Sequence, residues 1–257
     1  MARVFITGSS DGLGLLAGQR LLREGHAVTL HARSERRAAE ARAKAPGVEG
    51  VLIGDFATIA GMRRVVAEAN ASGPFDAVIH NAGIGYQIPQ RVETADGLEE
   101  TFAVNVLAPY LLTTEMTPPK RLVYLTSGLN RGGSPSLEDP QWKHRRWDGM
   151  QAYSDSKLYD VTLAFAFARR WGTVRSNAVD PGWVATKMGG PGAPDDLQQG
   201  AATQAWLAVS DDPGALVSGH NFYHQRWREP HPAARDVAFQ DELLAVCASL
   251  TGVAAQP

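Results

Sequence analysis

Two kinds of apolar run alternate along this chain. Short blocks bounded by turn residues recur at 3–7, 27–31, 50–54, 76–80, 120–126 and 174–179, with a seventh at 221–223. Between them lie longer segments of helical spacing: 15–24, where Leu15, Leu16, Leu21 and Leu22 share a stripe, then 35–44, 59–71, 97–114 and 152–171. The tail 233–250 repeats the spacing through Val237, Leu243, Leu244 and Ala248. Strands separated by helices of ten or more residues require crossover connections, and crossovers of one hand cover both faces of a parallel sheet. The pattern predicts an α/β doubly wound parallel sheet of about seven strands, folded as one domain over residues 1–257. Two stretches break the alternation, near 128–150 and 182–200. Both are rich in Gly, Pro and polar residues and follow strands, so they are expected to be loops at the carboxyl edge of the sheet, where open α/β sheets bind substrate.

The first strand runs into Gly8-Ser9-Ser10-Asp11-Gly12-Leu13-Gly14, and a helix follows. Glycines there let the backbone turn tightly and approach a pyrophosphate, while the helix N–H groups and the positive dipole end face the anion. Read alone, the triplet also describes an ordinary strand-to-helix turn. Its spacing is not that of the long dehydrogenases, and no Lys-Ser/Thr pair follows, which disfavours a P-loop NTPase. The second strand ends at Arg33-Ser34, with Arg36 and Arg37 close by. An arginine at this point accommodates the 2′-phosphate of NADP where an acid would hold the ribose of NAD, so NADP is the expected cofactor and NAD the alternative. Asp11 is a contrary charge in the same region.

Tyr153-Ser154-Asp155-Ser156-Lys157 places a phenol and an ammonium four residues apart on one helical face. A phenol titrates near 10, too high for easy proton exchange at neutrality, and an adjacent lysine is expected to lower that value. Tyr153 is then a candidate general acid–base. By itself the spacing is common in amphipathic helices.

Together these motifs resemble the short-chain dehydrogenase/reductases, in their compact single-domain, Rossmann-like branch. The resemblance covers nearly the whole chain and rests on Thr7 to Gly14, Asp55, Asn81-Ala82-Gly83, Asn105, Ser127, Tyr153 with Lys157, and Asp180-Pro181-Gly182 with Thr186. The stretch 94–99, the 25 residues between Ser127 and Tyr153, and the segment 218–223 resemble the retinol-dehydrogenase-like and protochlorophyllide-reductase-like arm. The resemblance implies an NADP(H)-dependent oxidoreductase that interconverts a carbonyl and an alcohol on a hydrophobic small molecule. Tyr153 would exchange the proton, Lys157 would hold the nicotinamide ribose, Ser127 would orient the substrate oxygen, and Asn105 would anchor a water leading to the lysine. It also implies that Asp55 and the Phe56 N–H meet the adenine, that Asn81, Ala82 and Gly83 pass close to the cofactor, and that Pro181, Gly182, Val184 and Thr186 flank the nicotinamide. Gly8, Ser10, Asp11, Gly12, Leu13 and Gly14, with Arg33 and Ser34, complete the cofactor set. Two departures stand out. His80 precedes Asn81 where asparagine is more frequent, and reads as a hydrogen-bonded strand-end residue. The connection 113–121 is short, which puts the family's usual four-helix dimer interface in doubt, so a homo-oligomer is only one option.

Composition narrows the alternatives. The 25 basic against 27 acidic residues leave a net charge of −2, without the field that gathers nucleic acid or anionic lipid. No apolar run is long enough for a membrane span, and a single cysteine, Cys247, suits a reducing cytoplasmic setting. The scattered histidines show no metal-ligand spacing, so no metal is expected. Loop 128–150 carries Trp142, Trp147 and Met150 beside Lys143-His144-Arg145-Arg146 and is expected to line an apolar pocket with a basic rim, or else to be a solvated surface loop. From another class, a dinucleotide-sensing protein without turnover would keep this fold, and the complete Asn105, Ser127, Tyr153, Lys157 set stands against it.

Overall fold

In a computed structural model that describes residues 1–255, the seven blocks form strands: β1 (Arg3–Ile6), β2 (Ala27–Ala32), β3 (Gly50–Ile53), β4 (Ala77–His80), β5 (Arg121–Leu125), β6 (Arg175–Asp180) and β7 (Asn221–Tyr223). An eighth that the sequence pattern does not announce, β8 (Arg226–Trp227), follows β7 through a tight turn with His224 and Gln225 at positive φ. The sheet order is β3-β2-β1-β4-β5-β6-β7-β8, parallel through β7 and antiparallel only at β8. Residues alternate between its faces as pleating demands. Val4 and Ile6 join the core under α1 (Gly12–Arg23), α2 (Glu35–Lys44) and α7 (Leu197–Val209), whereas Phe5 joins the larger core under α3 (Ile59–Ala71), α5 (Ala108–Glu115), α6 (Gly149–Arg170) and α8 (Val237–Thr251). The order of strands reverses between β1 and β4, and the crevice opened there is where ligands of this architecture bind.

Helix starts follow local chemistry. Asp11, Ser34, Thr58, Asp148, Asp196 and Asp236 each cap a helix by accepting first-turn N–H groups, and α8 ends at Gly252 in the left-handed conformation. Segment 97–114 is not one helix: the short α4 (Glu100–Phe102) passes through a π-helical turn at Ala103–Leu107 before α5 begins. The loop expected over 182–200 closes earlier, because Asp196 caps α7, a helix whose apolar stripe is blurred by Gly200 and neighbouring alanines. Gly200 is there for packing: a β-carbon on it would stand 2.8 Å from the Pro181 carbonyl. Loop 128–150 opens with a 3-10 turn at Gly128–Gly132, and α6 starts at Gly149 rather than 152. No described helix is long and apolar enough to cross a membrane.

Candidate active site

At the reversal point the glycine turn is braced from β4. Asn81 donates from Nδ2 to the Thr7 and Gly8 carbonyls at 2.9 and 3.0 Å, while the Asn81 and Ala82 N–H groups both donate to Thr7 Oγ1 at 3.0 Å. This closeness explains two glycines. A β-carbon on Gly8, whose φ is +60°, would lie 2.5 Å from Ala82 Cα, and one on Gly14 would lie 2.4 Å from Asn81 Nδ2. From the other side the Gly8 N–H donates to His31 Nδ1 at 2.9 Å, and His31 Nε2 meets the Gly54 carbonyl at 2.9 Å. These bonds fit only the neutral Nε2–H tautomer, and burial drives the imidazole down to about 4. Phe56 stacks on the same ring at 4.1 Å. Ser10 and Leu13 stand beside these contacts, and the first-turn N–H groups of α1 have no carbonyl partner within the helix.

Past the end of β2 the charges are on the surface. Arg33 is exposed and makes no hydrogen bond or ion pair among the described residues, whereas Arg36 and Arg37 pair with Glu40 at 2.7 and 2.9 Å. The Asp11 carboxylate is already engaged, since it bonds Lys187 and lies 3.5 Å from Arg37, and the Lys187 bond followed by the Gly12 N–H lowers it to about 2. Ser34 caps α2, and the exposed Asp55 accepts the Ala57 N–H at 3.0 Å. A tight glycine turn leading into a helix start, with the guanidinium of Arg33, unpaired among the described residues, at the end of the neighbouring strand, fits a dinucleotide phosphate chain.

Towards the sheet's centre the four candidate catalytic side chains converge. Tyr153 and Ser127 both stand on the wall of a cavity of about 490 Å³. Lys157 Nζ lies 5.6 Å from the centre of the Tyr153 ring. A β-carbon on Gly83 would stand 3.4 Å from Asn105 Oδ1 and 3.6 Å from Lys157 Nζ, so Gly83 keeps open the space between them. Asn105 sits in the π-helical turn, a distortion frequent at functional sites. Its amide accepts from Ile84 N–H at 2.9 Å and donates to Ser156 Oγ at 3.0 Å.

One expectation is reversed. The Tyr153 phenol is pushed up, not down: burial outweighs the lowering by Lys157 and Ser127, and Asp160 and Asp180 add to the rise. Lys157 explains why. Its ammonium donates to Asp160 Oδ2 at 2.7 Å and to the Leu125 carbonyl at 2.9 Å, and both side chains of the ion pair are about 5% exposed or less. Burial works to lower Lys157, but the Asp160 charge overrides it and the lysine stays protonated. Asp160 is raised to about 6 by burial, held back by Lys157.

The cavity walls come from distant parts of the chain: Tyr86 after β4, Leu129 and Met150 from loop 128–150, Trp183 and Met188 from the loop after β6, and Tyr223 from β7. Pro181, Gly182, Val184 and Thr186 line it as well. At its charged corner Arg228 donates to Asp180 at 2.9 Å and lies over the Tyr223 ring at 4.6 Å. The expected basic rim is absent from these walls. Trp142 is buried under Arg145 at 3.5 Å, Arg145 pairs with Asp155 at 2.8 Å, and Trp147 donates to the Ile88 carbonyl, so the loop is folded onto α6 and only its ends reach the cavity. His80, bonded to Thr113 at 2.9 Å and fully buried, is the strand-end residue expected. Asp160 escaped notice although its spacing of three from Lys157 puts it on the same face. Arg228, Trp183 and His31 carry no comparable local signal, because their partners are distant in sequence.

The sequence model of a family described as short chain dehydrogenase matches residues 2–127. An uncharacterized oxidoreductase of Emericella nidulans is 46% identical over 257 residues, covering 98% of each chain. The short-chain dehydrogenase chyC of Penicillium rubens is 40% identical, again over 98% of each. The crystal structure of an uncharacterized protein from Mycobacterium paratuberculosis matches at a TM-score of 0.87 and 26% identity, covering 100% of this chain and 96% of that one.

Proposed function

The chain belongs to the short-chain dehydrogenase/reductase family and is an NAD(P)-dependent oxidoreductase, and from that premise we propose that it is an NADP(H)-dependent reductase of a hydrophobic carbonyl compound with Tyr153 as its general acid. The observation that carries the reading is that Ser127 and Tyr153 stand on the wall of one cavity whose other side chains are largely apolar, with Lys157 5.6 Å from the Tyr153 ring and, like Asn105, buried behind it beside Gly83. When bound, the nicotinamide cofactor supplies or receives the hydride. The residues do the rest. Ser127 donates to the substrate oxygen and fixes its direction, and Tyr153 passes its hydroxyl proton to that oxygen as negative charge develops there. Lys157, fixed beside Gly83, would hold the ribose hydroxyls of the cofactor. The aromatic and thioether walls, Tyr86, Met150, Trp183, Met188 and Tyr223, exclude water and accept an apolar substrate body.

NADP preference is supported by Arg33, the unpaired guanidinium at the end of β2, and by the neutralisation of Asp11, the charge that would oppose a 2′-phosphate. A panel of aldehydes, ketones and secondary alcohols, followed by absorbance of the reduced nicotinamide, tests the reaction. Tyr153→Phe is expected to lower kcat by about 10²–10⁴ with cofactor binding intact; full turnover in that variant would end the proposal.

A further inference from the structure

The cavity carries one cation among its described residues, Arg228, which directly follows β8. Its backbone is fixed from two sides. The Arg228 N–H donates to the Asn221 carbonyl at 2.9 Å, and Asn221 Nδ2 donates to the Arg228 carbonyl at 3.0 Å. The residues after it are fastened to the 3-10 turn that begins immediately after Ser127: Arg131 Nε donates to the Glu229 carbonyl at 3.3 Å, and the His231 N–H to Asn130 Oδ1 at 2.9 Å. The side chain is thereby brought to the reacting end of the cavity. Nη1 donates to Asp180 Oδ2 at 2.9 Å, and that same oxygen would stand 3.1 Å from a β-carbon on Gly128, the residue next to Ser127. Arginine has five N–H donors. One is spent on Asp180, whereas Nε and Nη2 meet no acceptor among the described residues, and the Arg228 side chain is 36% exposed against 3% for Asp180.

Charge decides what the remaining donors suit. Asp180 already neutralises Arg228, and a second acid on the wall, Asp195, makes no ion pair among the described residues: it accepts the Trp183 N–H at 2.6 Å and the Tyr223 hydroxyl at 3.4 Å. Negative charge outnumbers positive in this corner, which opposes a carboxylate, while a neutral carbonyl oxygen accepts from a guanidinium without adding charge. Resting on the reading of Ser127 and Tyr153 as the pair that meets the reacting oxygen, we propose that Arg228 is a specificity-determining residue: its unspent N–H groups hold a second, neutral carbonyl oxygen of the substrate, so that hydrophobic dicarbonyl compounds are selected over simple ketones. Asp180 and the Tyr223 ring, 4.6 Å from the guanidinium carbon, hold the side chain in place before substrate arrives. Less conformational freedom is then lost on binding than with a mobile arginine.

Three aryl ketones test this: propiophenone with one carbonyl, methyl phenylglyoxylate with a second neutral carbonyl, and phenylglyoxylate with a carboxylate in its place. The full-length protein is saturated with the oxidised cofactor, which has no hydride to give, so the ketones bind unreacted and calorimetry reads their affinities. Methyl phenylglyoxylate should bind at least about tenfold tighter than propiophenone, the gain of one hydrogen bond to a charged group, and tighter than phenylglyoxylate. In Arg228→Met its affinity should fall roughly 10- to 100-fold more than that of propiophenone. Tightest binding of phenylglyoxylate by the wild type would make the corner an anion site and overturn the proposal. So would equal or undetectable binding of the two neutral ketones by the wild type. Equal losses for both in Arg228→Met overturn it as well, since an arginine that only supports the fold would weaken them alike. Because Arg228→Met strands a buried carboxylate, Asp180→Asn with Arg228→Met is read the same way should the single variant not fold. The affinities involve no turnover, which keeps the two readings apart: an active Tyr153→Phe ends the catalytic one, whereas an inactive Tyr153→Phe with equal losses in Arg228→Met removes only the role of Arg228.

Discussion

The two ends of the cleft handle charge in opposite ways. Past β2 Arg33 lies in solvent with no partner among the described residues, and the groups that shape the glycine turn, His31 and the Asn81 amide, are uncharged. At the other end, beside Tyr153, the Lys157–Asp160 pair is buried with no comparable access to water. A charge in water costs little to keep and is screened; a buried one is costly unless its partner is in place. The exposed end can therefore discriminate between ligands without affecting the fold, whereas the buried end ties chemistry and stability to one pair of side chains.

Removing one member of the buried pair is the largest perturbation. Lys157→Met leaves the Asp160 carboxylate without its counter-charge and should destabilise the protein by about 3–5 kcal/mol in urea unfolding at pH 8. The loss should shrink toward pH 5. Without lysine the folded-state value of Asp160 lies above that of the unfolded chain, so stability is recovered as the acid protonates and lost as pH rises through the folded value. Lys157→Met with Asp160→Leu should regain most of the stability while remaining inactive. A deficit independent of pH would show that the pair is not what costs the single variant its stability.

How much of this could be read from the chain differs between the same two ends. The glycine turn and its brace were legible because each is a backbone device at a strand end: Gly8 to Gly14 follows β1, Asn81 to Gly83 follows β4, and the sheet order places the two side by side. Helices 35–44 and 59–71 match because Ser34 and Thr58 cap them. Asn105, Ser127, Tyr153 and Lys157 were legible as candidates through their motifs, but the sign of the electrostatics was not, because the fall expected for Tyr153 took account of Lys157 and not of burial or of Asp160. The cavity walls were read in part: the loops near 128–150 and 182–200 do reach the cavity, but several of its aromatic side chains were not singled out. Tyr86, Trp183 and Tyr223 meet only through the sheet order, and Trp142, an obvious candidate in sequence, is used to fasten its loop under Arg145. The helix α7 was missed because Gly200 and its alanines leave too weak a stripe.

An intermediate effect is expected beneath the exposed end. His31 is lowered to about 4 in the folded protein against an ordinary 6.5, so the unfolded chain takes up a proton that the folded one refuses. Stability from this residue is complete above pH 6.5 and is lost as pH falls toward 4, by about 2 kcal/mol at pH 5. Because Asp160 titrates in the opposite sense and His80 in the same one, the informative quantity is the difference between wild type and His31→Gln in urea unfolding. Wild type should start ahead at pH 7.5 and lose that lead by pH 5. A constant difference would mean that the bond from the Gly8 N–H to His31 does not require the neutral ring.

The smallest effect on the fold, and the clearest on recognition, belongs to Arg33. Its side chain touches no partner whose loss would be felt, so Arg33→Ala should change unfolding free energy by less than about 0.5 kcal/mol. A charged hydrogen bond to a 2′-phosphate is worth about 1.5–3 kcal/mol, so NADPH affinity, followed by fluorescence of the reduced nicotinamide, should weaken by roughly 10- to 100-fold. NADH affinity should hardly move. Salt makes the contrast between the ends sharper still: the preference for NADPH should decline as ionic strength rises, because the guanidinium is open to counterions, while the buried Lys157–Asp160 pair is shielded by protein. If Arg33→Ala weakened both cofactors equally, the guanidinium would be acting on the diphosphate common to both, and the exposed end of the cleft would provide affinity without selection.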